Sequence, residues 1–150
     1  MMSNATIRVI VNRESVHAGD DTDSHREIWD FPFEASLDDL LVNLCSQYLA
    51  SVAGNIMWQV YLGGRKPPAP PQLLALIYVD YPSRLVRFTR VWHGDQRLTG
   101  LRDLHGPQSE LPIFVGYPSG HTRLRLATLD EIKQSPYYTG ATPHRKPLGR

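Results

Sequence analysis

The sequence predicts an α+β fold: a mostly antiparallel or mixed sheet with one main helix packed on one face. Three observations carry this expectation. Two β-branched, alternating segments flank an acidic turn near the start, a single strongly amphipathic helix follows, and four further apolar segments of strand length come after it. A chain of 150 residues is long enough to bury one self-sufficient core. Residues 1–134 are therefore expected to form one globular domain, and 135–150 a flexible basic tail.

The first strand is TIRVIVN (6–12), in which Ile7, Val9 and Val11 alternate with Arg8 and Ile10. HREIWDFPFEAS (25–36) alternates again through Ile28, Trp29, Phe31 and Phe33, and Pro32 suits a strand end. The two pair most simply as a hairpin. Ser36 then precedes LDDLLVNLCSQYLA, where Leu37, Leu40, Leu41, Leu44 and Tyr48, with Cys45 and Leu49 beside them, recur at helical spacing. Ser36 and Asp39 have the spacing of a capping box, and Asp38 and Asp39 complement the helix dipole in the first turn.

NIMWQVYLG (55–63) reads as the next strand, and the proline-rich stretch 63–72 as an exposed connection. LLALIYVDY and RLVRFTRVW flank Pro82 and Ser83 as a second hairpin whose later strand is studded with arginine. HGDQRLTGLRDLHGPQSE is a turn-rich crossing with a short helical turn at LRDL, and LPIFVGY is a further apolar strand. HTRLRLATLDEIKQ adds a short strand and a turn opened by Thr128 and Glu131. SPYYTGATPHRKPLGR is rich in Pro, Gly and basic residues without apolar periodicity, which is the basis for expecting a mobile tail.

Charge and cysteine content narrow the function. Residues 1–60 hold nine acids against three arginines, a net −6, whereas 61–150 hold 13 basic and six acidic residues, a net +7. Such asymmetry steers an oppositely charged partner or draws the two parts together in the fold. A lone Cys45 leaves no intramolecular disulfide, a reducing compartment fits, and no run approaches the length of a membrane span. The expectation is a cytoplasmic protein.

The most conspicuous polar stretch is ESVHAGDDTDSHRE (14–27), which gathers His17, Asp20, Asp21, Asp23 and His25. Asp21, Asp23 and His25 alternate and would share one side of an extended chain, but the glycine and glutamate positions of an EF-hand loop are missing. A solvated hairpin tip with Asx turns explains the segment equally well. No metal or cofactor is expected. The functional reading is a surface for a basic protein partner, with these five residues as its contacts. WHGD (92–95) sets His93 near Asp95, yet neither it nor Cys45, placed by the helical pattern at the edge of the buried stripe, comes with a recognisable nucleophile–base set. Arg84, Arg87 and Arg90 beside Phe88 and Trp92 have the composition of a nucleic-acid surface, but Arg87 and Arg90 fall on opposite faces of a strand.

The order strand, strand, helix, further strands resembles the ubiquitin-like β-grasp arrangement over residues 6–117. VNRESVHAGDD (11–21), the Phe-Pro strand, LDDLL and YLASVAG (48–54) are similar to a small group of bacterial proteins associated with immunity to secreted toxins, and the similarity ends near residue 62. The resemblance implies a non-catalytic protein-binding module, an immunity protein that occludes the active site of a basic toxin domain. The alternatives are an assembly component, for example of a phage particle, whose basic tail is a docking arm, and a small enzyme with a pocket around His93 and Asp95.

Overall fold

The computed structural model describes residues 5–13, 26–49, 56–63, 72–79, 86–105, 110–116 and 127–147. It is a mixed α+β fold with one eight-stranded sheet and three helices. The strands are β1 (Thr6–Arg13), β2 (Glu27–Pro32), β3 (Ile56–Leu62), β4 (Gln72–Val79), β5 (Val86–Arg90), β6 (Glu110–Gly116), β7 (Ala127–Thr128) and β8 (His144–Pro147). The helices are α1 (Leu37–Gln47), α2 (Leu98–His105) and α3 (Leu129–Lys133). The LRDL turn expected from the sequence is thus part of an eight-residue helix. No helix among the described residues is long and apolar enough to cross a membrane.

The sheet runs β7-β5-β4-β3-β6-β1-β2-β8. Its neighbours are antiparallel except at the centre, where β1 and β6 run parallel with Val9 opposite Leu111 and Val11 opposite Ile113. Alternation decides which side chains turn inward. Ile7, Val9 and Val11 of β1, Trp29 and Phe31 of β2, and Leu111, Ile113 and Val115 of β6 are all fully buried. They join Leu37, Leu40, Leu41 and Leu44 of α1 in one core with Leu98 and Leu101 of α2. Met57, Tyr61, Leu76 and Phe114 are buried as well, so the central strands are apolar on both faces.

α1 starts where Ser36 predicts. The Ser36 hydroxyl accepts from the Asp39 N–H at 3.2 Å, and the Asp39 carboxylate accepts from the Ser36 N–H at 2.8 Å, which is the reciprocal capping box. The outer face of the helix is covered as well: Asp38 and Asp39 are both 0% exposed and Asn43 only 4%. The cover comes from the chain after α3. Asp39 Oδ1 accepts the backbone N–H groups of Thr139 (2.9 Å) and Gly140 (3.1 Å), Asp39 Oδ2 accepts the Thr139 hydroxyl (2.6 Å), and Asn43 Nδ2 donates to the Ala141 carbonyl (3.0 Å).

The segment expected to be a mobile tail therefore lies, as far as Pro147, against the domain. β8 extends the sheet antiparallel to β2, with Trp29 opposite Arg145. Arg145 forks onto both Glu27 oxygens at 2.9 and 3.0 Å, donates to Gln47 Oε1 at 3.1 Å, and lies 5.1 Å from the Trp29 ring centroid. Composition missed this because the stabilising contacts are polar and made by few residues, which leaves no apolar period to read.

Candidate functional site

The His17, Asp20, Asp21, Asp23 and His25 set lies outside the described residues. Among those described, a groove of about 620 Å³ beside β5 collects polar side chains and is lined by Phe88, Arg90, His93, Gln96, Glu131 and Tyr137 among others. A volume of this order is within the usual range of ligand sites.

Its first wall is the bend after β5. Trp92 Nε1 donates to the Asp95 carbonyl (3.0 Å), and Gln96 Nε2 donates to the carbonyls of Trp92 (3.1 Å) and Gly94 (3.0 Å). Glycine is required at position 94, since a Cβ there would fall 2.2 Å from the Trp92 ring. The bend fixes Gln96 in a buried position, 8% exposed, with both amide hydrogens used and Oε1 left without a hydrogen bond. Leaving a buried acceptor unsatisfied costs about 1–3 kcal/mol. Exchanging the amide oxygen and nitrogen would set an oxygen against two carbonyls, so the donors fix the orientation.

The second wall is α3 and the residues that follow it. Thr128 caps α3 by accepting the Glu131 N–H at 3.2 Å, which turns Glu131 and the buried Ile132 toward β5. Tyr137 closes the groove; it is 46% exposed and carries Arg90 5.4 Å from its ring centroid.

Arg90 lies on the helix-covered side of β5, two residues from the fully buried Phe88, and its Nε is 3.6 Å from Asp38 Oδ1. Neither Asp38 oxygen has a hydrogen bond of good geometry. Burial raises the Asp38 pKa above the ordinary carboxylate value, and Ser135 and Arg90 pull it back only in part. The raised value makes native chains bind protons more readily than unfolded ones, so this carboxyl's contribution to stability falls as pH rises from the ordinary carboxylate value through the raised one. The stability of the wild type relative to Asp38→Asn is accordingly expected to decline across that window, which urea unfolding of both proteins over a pH series would measure. A difference independent of pH would show that Asp38 keeps an unperturbed carboxyl.

The other reactive-looking groups are used structurally. Asp95 does not reach the groove with His93; Arg97 donates to it from the backbone (3.0 Å) and twice from the guanidinium (3.1 and 2.8 Å), which holds its carboxyl below the usual range. The His93–Asp95 juxtaposition of the sequence is therefore split by the fold. Cys45 sits half-buried on α1, and desolvation pushes its thiol well above the ordinary pKa. Arg8 pairs with Asp30 through its Nε at 3.0 Å. No group of three or more His, Cys, Asp or Glu side chains placed to hold a metal ion occurs among the described residues. Sequence reading named His93 and the Thr128–Glu131 turn but could not join them to Gln96 or Tyr137. The pairing of β5 with β7, Arg87 opposite Thr128 and Phe88 opposite Ala127, brings α3 beside β5. Comparison with protein families, curated proteins and solved structures returned no match.

Proposed function

We propose that the chain is a non-catalytic protein-binding domain on a β-grasp-like frame, and that it acts as an immunity protein by covering the active site of a basic toxin in the cytoplasm. The frame reading is supported by the central order β2-β1-β6-β3-β4 with α1 across it and β1 parallel to β6. The binding reading rests on one observation. Three of the described groups capable of acid–base or nucleophilic work are committed to the fold: Asp95 to Arg97, Asp39 to the helix cap and Thr139, Cys45 to burial. Gln96, one of the groove-lining residues, keeps a buried Oε1 with no internal hydrogen-bond partner. The acidic segment with Asp20, Asp21 and Asp23 adds electrostatic steering toward a basic rim, with His17 and His25 beside it. A free docking arm for particle assembly finds less support, since the chain from Thr139 to Arg145 is engaged with α1 and β2.

Affinity capture from the native host at low and moderate salt tests this. A single stoichiometric chain is expected, its capture weakened by salt and its association rate lowered in the triple variant D20N/D21N/D23N. Binding unchanged in that variant would remove the acidic segment from the interface. Recovery of the bait alone would overturn the binding-domain reading.

A further inference from the structure

We infer that the outer edge of β2 is a receptor for an extended, arginine-bearing segment of a basic protein partner, and that the chain's own β8 fills it in the unbound state. This deepens the binding-domain reading and rests on it for the identity of the partner.

The seat takes its shape from β2 and α1, not from β8. Glu27 Oε1 accepts the Trp29 indole N–H at 2.9 Å, and Gln47 Nε2 donates to Asn43 Oδ1 at 2.9 Å. These bonds orient the Glu27 carboxylate and Gln47 Oε1 toward one point, where the Arg145 guanidinium donates to three oxygens at 2.9, 3.0 and 3.1 Å. The same guanidinium lies 5.1 Å from the Trp29 ring centroid. A planar fork satisfies this set, whereas the compact ammonium of lysine cannot fork and stack at once. Beside the seat, the backbone of β2 pairs antiparallel from Asp30 opposite His144 to Glu27 opposite Pro147. A main-chain ladder with one selective side-chain pocket is the recognition mode of strand addition.

The resident strand is built to be replaced. β8 is the outermost strand of the sheet, none of its four residues belongs to the apolar core, and His144, Lys146 and Pro147 are exposed. Its hold is the ladder and the Arg145 side chain, both of which an incoming segment reproduces. The preceding residues are anchored separately, Thr139 on Asp39 and Ala141 on Asn43, so β8 can leave while the cover of α1 stays. The resident sequence, His-Arg-Lys-Pro, shows the chemistry that a basic partner would supply.

The test is an NMR titration of the full chain with the blocked peptide TPHRKP, the sequence of residues 142–147, and with peptides carrying lysine or citrulline in place of the arginine. Saturable shifts are expected at the Trp29 indole N–H and the Gln47 side-chain amide. Full-length Arg145→Ala, whose own strand no longer fills the pocket, should bind the peptide about tenfold more tightly than the wild type. Arg145→Lys, which keeps the charge and loses the fork, is the milder variant and should fall between them. The lysine and citrulline peptides should bind about fivefold more weakly than the arginine peptide. No saturable shift, shifts away from β2 and α1, equal binding by wild type and both variants, or equal binding of the three peptides would each overturn the receptor. Concentration-dependent dimerisation of the wild type with the same shifts would overturn the partner as occupant in favour of a second copy. A captured partner indifferent to Arg145→Ala would remove the receptor and keep the binding domain. A successful titration without a captured partner would do the reverse.

Discussion

Replacing Asp39 by alanine is expected to destabilise the protein by about 3–5 kcal/mol, because one fully buried carboxylate serves the helix cap and the C-terminal segment together. Its loss would strand the backbone N–H groups of Ser36, Thr139 and Gly140 and the Thr139 hydroxyl in one place. Each bond to a charged acceptor is worth about 1.5–3 kcal/mol, and relaxation of the segment toward water would recover part of the total. Asp39→Asn keeps one acceptor oxygen and should cost about half as much. Urea unfolding would give the values, and amide exchange at Thr139 and Gly140 would show whether the segment detaches first. A loss below about 1 kcal/mol would mean that residues 139–141 contribute little to the native state.

Trp29→Ala should cost a comparable 3–5 kcal/mol, roughly the range for emptying a large aromatic site in a packed core. Trp29 is fully buried, lies edge-on to Tyr48 at 5.5 Å between ring centroids and 6.1 Å from Phe31, and donates from Nε1 to Glu27 at 2.9 Å. Its ring also receives Arg145, so the damage should reach β8. A double-mutant cycle with Arg145→Ala would isolate that contact, with an expected coupling of about 0.5–2 kcal/mol. Far-ultraviolet circular dichroism is the appropriate probe, since with three tryptophans the fluorescence change would mix environments. Additive effects would mean that Arg145 holds β8 through Glu27 and Gln47 and not through the Trp29 ring.

Local signals carried much of the fold. The alternation of Ile7, Val9 and Val11 gave the inward face of β1, and the Ser36–Asp39 spacing gave the start of α1 to the residue. These succeed because strand alternation and cap chemistry are decided within a few residues. The parallel pairing of β1 with β6 and the burial of Asp38 were not legible. Both depend on partners far away in the chain, and an acidic residue in a first helical turn reads as solvated unless something is known to cover it. The groove was hidden for the same reason: Arg90, Glu131 and Tyr137 have no shared period, and their meeting depends on β7 closing on β5.

The pairing of β1 with both its hairpin partner and β6, and of β2 with β8, has a consequence for the newly made chain. While the first hundred residues are emerging from a ribosome, β1 has only β2 beside it, and the central strand that is to bury its other edge has not been made. Ordering distant segments before their contacts form raises the barrier and slows folding. Until β6 and then β8 are synthesised, the nascent N-terminal hairpin thus keeps the outer edges of β1 and β2 unpaired, a template for misplaced strand pairing.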